Sequence, residues 1–106
     1  MEHRSSPRAY AIPEELQDVE CIYQDTRVGA TVTDFSAHGM RLAIGDAVNL
    51  PAKSDEIIVQ CKGHKLSAIC VHRYLEDTVG VLGLYIHQPY DQAFLISHLP
   101  SDRFFS

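Results

Sequence analysis

Two short stretches carry residue types that could hold an anion. In Arg4-Ser5-Ser6-Pro7-Arg8, two guanidinium groups lie four positions apart in a segment without hydrophobic periodicity. Arginine presents a rigid, planar fork of donors that matches a phosphate bidentately, which the point charge of a lysine does less well. The second stretch is Val32-Thr33-Asp34-Phe35-Ser36-Ala37-His38-Gly39-Met40, a polar turn between two runs that alternate apolar and polar residues. Asp34 and Ser36 can hydrogen-bond neighbouring amides or a ligand, and a glycine at position 39 allows a positive φ and close approach of the backbone. Each stretch alone has a plainer account: a solvated arginine tail in the first case, a well-made turn in the second.

Taken together and in this order, the two resemble the signature of PilZ domains, which bind the bacterial second messenger cyclic di-GMP. The matching positions are Arg4 and Arg8, then Asp34, Ser36 and Gly39. The resemblance continues in weaker form over nearly all of the chain. Gly39-Met40-Arg41-Leu42 looks like the family's third strand, Ala68-Ile69-Cys70-Val71-His72-Arg73 like its fifth, and Gly80-Val81-Leu82-Gly83-Leu84-Tyr85-Ile86 like its closing strand. One departure is His3, which stands where many members carry a further arginine.

The resemblance implies a ligand with two phosphates and two guanine faces, and no cofactor. Arg8 and then Arg4 would grip phosphate or the O6 and N7 edge of guanine, or stack on the base. Asp34 would accept from a guanine edge or hold an arginine, Ser36 would donate to phosphate or base, and Gly39 would admit the ligand to the backbone. Three residues are secondary candidates. Arg41, opposite in parity to Met40 and Leu42, should point outward beside the turn. His38 could stack on a base, although simple exposure is favoured. His3 could replace the missing arginine only weakly, because neutral imidazole lacks the charge a phosphate contact wants.

Composition bounds these readings. A chain of 106 residues, 45% hydrophobic and 22% charged, is expected to be one globular domain with a modest core. Its net charge of -5 is unfavourable for extended nucleic acid, whose binding is driven by phosphate neutralisation, yet a local cationic patch can still take a small anion. No apolar run approaches the ~20 residues that span a membrane and no leader is evident, so a cytoplasmic location without membrane attachment is expected. Three cysteines, Cys21, Cys61 and Cys70, form no disulfide framework and fit buried thiols in a reducing compartment. Cys61-x-x-His64 with Cys70-x-His72 superficially resembles a zinc site. Strand alternation would put Cys70 and His72 on one face, whereas structural zinc usually draws on knuckles or a His-bearing helix, so no metal is expected. There is no nucleophile elbow, phosphate loop or metal-hydrolase helix, and Asp34 and Glu76 have no evident partnership, so no enzyme is expected.

The elements that would position these residues follow from periodicity. Residues 1–18 carry no strand signal and contain Pro7 and Pro13, and are expected to be a flexible arm bearing both arginines; residues 19–106 would form the domain. Strands are expected from Val19 to about Gln24, Val28 to Thr33, Met40 to Ile44, Ile57 to Cys61, Leu66 to Arg73 and Val79 to His87. A helix of about two turns would follow, with Asp91 near its N-cap and Pro100 ending it. Val48-Asn49-Leu50 reads as a short extended piece. The expected fold is all-β with a small helical addition: a six-stranded antiparallel PilZ-like β-barrel with a C-terminal α-helix. The expected function is a cyclic di-GMP receptor and adaptor that orders its arm on binding and signals to a separate protein partner in motility, biofilm or exopolysaccharide control. The alternative is a ligand-independent interaction module on the same barrel.

Overall fold

A computed structural model of the chain describes residues 9–45 and 50–99. Their elements are α1 (Glu14–Gln17), β1 (Asp18–Tyr23), β2 (Thr26–Phe35), β3 (Gly39–Ile44), β4 (Glu56–Cys61), β5 (His64–Glu76), β6 (Val79–Ile86) and α2 (Pro89–Ile96). The six strands close into an antiparallel barrel in the order β1-β2-β3-β6-β5-β4. Every strand therefore has two neighbours and no open edge has to be protected along the barrel wall. No helix among the described residues is long and apolar enough to cross a membrane.

The strands form because alternate positions are apolar. In β3, Met40, Leu42 and Ile44 are buried and Arg41 between them is exposed; in β5, Leu66, Ala68 and Cys70 are buried. These side chains meet Val32, Phe35, Val59, Leu82 and Ile86 from the other strands in one core. Full burial of a Leu, Ile or Phe side chain contributes ~1.5–3 kcal/mol, so the barrel interior supplies most of the driving force. Tight turns join neighbouring strands. Gln24 and Asp25 both take positive φ (52° and 63°), which matches the right-handed twist of the β1–β2 hairpin.

The structure corrects several sequence expectations. α1 was not foreseen: four residues are too few to show a helical period, and what holds them is Leu16, fully buried in the core. Ala9 is buried too, so the described part of the lead-in packs on the barrel. β5 runs three residues beyond its expected end, to Glu76. Asp91 does not cap α2. The N-cap is Gln88, without a side-chain cap bond, and Pro89 opens the helix, a position where its missing N–H costs nothing. Asp91 lies a turn further on and is buried. Its Oδ2 accepts from the Ser67 backbone N–H at 3.0 Å and its Oδ1 lies 3.1 Å from His64 Nε2. With Leu95, this carboxylate fastens α2 to β5. The expected extended piece at Val48-Asn49 and the expected stop at Pro100 lie outside the described residues.

Candidate functional site

Residues of β2 that share the parity of Ala30 and Val32 point into the barrel, and simple alternation would send Asp34 inward with them. The register between β2 and β3 shifts between Val32 and Asp34: Val32 pairs with Leu42, Asp34 with Arg41 and Phe35 with Met40. Thr33 is thus an extra residue, a β-bulge that returns Phe35 to the core and turns Asp34 to the outer face. There the Asp34 carboxylate lies 3.6 Å from Arg41 Nη1, and the Thr33 hydroxyl donates to Asp34 Oδ2 at 3.3 Å. Arg41 is outward, as expected, and half exposed, while Asp34 is 3% exposed.

The turn is closed from within. The Ser36 N–H donates to the Gly39 carbonyl at 2.8 Å, and the His38 N–H donates to Ser36 Oγ at 3.4 Å. The Ile86 N–H donates to the His38 carbonyl at 2.9 Å, which ties the turn to β6. Ser36 is buried and His38 is exposed. Gly39 opens β3 opposite Tyr85, and the positive φ among the described glycines is at Gly63 (73°). The expected left-handed conformation at Gly39 is therefore corrected: its contribution is a small residue at the strand entry.

Ala9 joins this turn from the other end of the chain. Its N–H donates to the Phe35 carbonyl at 2.8 Å and its carbonyl accepts from the Phe35 N–H at 3.2 Å. The residue immediately after Arg8 in sequence is thus in register with the residue between Asp34 and Ser36. His3, Arg4 and Arg8 themselves lie outside the described residues.

A second bulge shapes the surface beside the turn. Cys70 pairs with Leu84 and His72 with Gly83, which leaves Val71 as the extra residue. Cys70 and His72 were expected on one face; the bulge separates them, with Cys70 in the core and His72 outside. His72 then lines a groove of about 340 Å³ with Arg41, Lys53, Arg73, Tyr74 and Gly83. Sequence reasoning passed over Lys53, Arg73 and Tyr74 and weighed His72 only as a metal ligand, because three of the four lie in a strand whose parity the bulge resets.

The thiols and His64 are accounted for structurally. Cys21, Cys61 and Cys70 are buried and form no disulfide. Burial pushes Cys21 and Cys61 up to about 11, helped by the nearby Cys70 and Asp91 respectively. His64 is engaged by Asp91 and stacks on Phe94 with ring centres 4.0 Å apart. Among the described residues no three His, Cys, Asp or Glu side chains gather as metal ligands.

No protein-family model matches the chain, and no curated protein matches it in sequence. Solved structures do match in shape. The inhibitor of motility MotI/DgrA of Bacillus subtilis superposes with a TM-score of 0.70 at 14% identity, over 92% of this chain and 49% of that one. YcgR of Escherichia coli in complex with c-di-GMP gives 0.63 at 16% identity, over 91% and 44%. The PilZ domain of YcgR with c-di-GMP gives 0.61 at 14% identity, over 90% and 87%. This chain spans about half the length of the first two structures and most of the isolated domain. Its fold is the PilZ fold, a closed six-stranded antiparallel barrel with a short C-terminal helix.

Proposed function

We propose that this PilZ-fold domain is a receptor for cyclic di-GMP, that Arg4, Arg8, Asp34, Ser36 and Gly39 form its binding site, and that it passes the signal to a separate protein. The observation that carries this reading is the pairing of Ala9 with Phe35, which brings the chain that follows Arg8 to the Asp34-x-Ser36 turn. On this reading the segment that precedes Ala9 would supply cations beside a turn that offers acceptors and a hydroxyl. The shape match to a PilZ domain solved with c-di-GMP supports the same ligand.

Binding would draw residues 1–8 over the turn, because the ligand would offer the two arginines phosphate and guanine partners. The newly ordered segment then changes the surface offered to a protein effector, a non-enzymatic mode of action. Buried thiols fit a reducing, cytoplasmic setting.

Titration calorimetry with cyclic di-GMP, with GTP as control, tests the proposal. Saturable binding is expected in the parent, and Arg8→Ala should weaken it by about tenfold or more, as loss of a charge-assisted hydrogen bond does. Hydrogen exchange should show residues 1–8 gaining protection with ligand. A folded parent that gives no binding would overturn the receptor reading in favour of a ligand-independent interaction module.

A further inference from the structure

We infer that the groove lined by Arg41, Lys53, His72, Arg73 and Tyr74 is a second anion and base subsite, which receives the part of a cyclic dinucleotide that extends beyond the Asp34–Gly39 turn. This rests on the cyclic di-GMP reading above and deepens it.

The argument begins with register. Asp34 on β2 faces Arg41 on β3, Arg41 faces Gly83 on β6, and Gly83 faces His72 on β5. These four positions form one row across four adjacent strands on the outer face of the barrel. At ~4.8 Å per strand the row is roughly 14 Å long, more than a single phosphate can cover. Both ends of the row are set by bulges, at Thr33 and at Val71, which turn Asp34 and His72 outward.

The middle of the row is glycine, and that opens the slot. A Cβ at position 83 would stand 3.2 Å from His72 Cβ and 3.4 Å from its Cδ2, so any larger residue would fill the space between Arg41 and the imidazole. A second hollow of about 290 Å³ shares Arg41, His72 and Gly83 with the groove and reaches Gly39, so the surface is continuous from the signature turn outward.

The chemistry of the lining suits one half of such a ligand. Three of the chain's nine Lys and Arg residues, Arg41, Lys53 and Arg73, converge here, and no carboxylate among the described residues lines the groove, although the whole chain carries a net charge of -5. Lys53 is brought in by the loop before β4, which is fastened to β5 where the Ser54 N–H donates to the Cys70 carbonyl at 2.7 Å and the Cys70 N–H donates to the Asp55 carbonyl at 2.9 Å. Cations of this kind hold phosphate. His72 and the exposed ring of Tyr74 offer flat faces on which a guanine can stack.

The test compares cyclic di-GMP affinities of the parent, Arg8→Ala, the double variant Lys53→Ala/Arg73→Ala, and Lys65→Ala as a control for net charge at an exposed lysine outside the groove. Lys53 and Arg73 are both exposed, so thermal melts should show the double variant as stable as the parent. The expected result is a loss of about tenfold or more in the double variant and none in Lys65→Ala. A double variant that binds as the parent does, while Arg8→Ala is impaired, would overturn the subsite and leave the receptor reading standing. A loss of the same size in Lys65→Ala would also overturn it, by reducing the effect to overall charge. A parent that does not bind would remove the receptor reading, and the subsite with it.

Discussion

Asp34 and Asp91 are both buried carboxylates, 3% and 5% exposed, but they are held in different ways. Asp34 lies on the outer face of the barrel wall beside an arginine, at the turn that carries the signature. Asp91 lies beneath α2 and accepts from a backbone N–H of β5 while meeting His64. Its role is structural, and the cost of removing it can be stated: Asp91→Ala leaves the part-buried Ser67 N–H without its carboxylate acceptor, which should lower stability by ~1–3 kcal/mol. Asp91→Asn, which keeps one acceptor oxygen, should lose less. Urea unfolding of the three proteins checks the order, and an alanine variant as stable as the parent would refute the role. At this scale the sequence was legible in part. The turn between β2 and β3 and the outward Arg41 could be read from parity. The inward-looking parity of Asp34 was misleading, and so was that of His72, because a bulge is a one-residue event that leaves no periodic trace.

Elements were more legible than residues, since each strand repeats its apolar signal over several positions. The edges were least so. α1 has only Leu16 to announce it, and the outer end of β5 lacks the apolar alternation that marks its first half. The contact between β1 and the loop before β4 was not legible at all, because it joins residues far apart in sequence: the Tyr23 hydroxyl donates to Asp55 Oδ2 at 2.6 Å, and the Ala52 N–H donates to the same oxygen at 2.8 Å. The hydrogen bond from Tyr23, and then that from Ala52, hold the Asp55 carboxyl below its ordinary 3.8; the same bond to Asp55, with burial and the carboxylate charge, raises Tyr23 above its ordinary 10.0. The signs follow by linkage. The Asp55 contribution is present above pH 3.8 and lost as pH falls through its lowered folded value, while the Tyr23 contribution is present below pH 10.0 and lost as pH rises through its raised folded value. The stability gap between the parent and Tyr23→Phe should therefore be widest near neutrality and narrow at both extremes. Urea melts across the range measure it, and a gap that does not vary with pH would count against the linkage.

Closure of the barrel should make its wall one cooperative unit, on which its cysteines report. Cys21, Cys61 and Cys70 lie on β1, β4 and β5, three adjacent strands of the closed order, and all three face the core. Because the thiolate is the reactive form, a thiol pushed up to about 11, as Cys21 and Cys61 are, is almost wholly protonated at pH 8 and is shielded from reagent as well. Burial raises Cys70 too, against the pull of Arg73 and Lys53 from the neighbouring groove. Each thiol can react only when its strand leaves the wall. In a closed barrel one strand cannot leave without breaking two ladders, and each ladder left behind exposes an unpaired edge, so partial opening gains little entropy for a large loss of hydrogen bonds and packing. The three thiols should therefore be modified in one kinetic phase, at a rate set by global unfolding and slowed equally by any ligand that binds the folded state. Labelling with a chromogenic disulfide at pH 8, read by mass spectrometry, separates the outcomes. A single species moving directly from none to three modified cysteines supports a cooperative barrel. Early, isolated modification of Cys70 would instead show that the end of β5 beside the cationic groove opens by itself, and that the groove belongs to the least stable part of the wall.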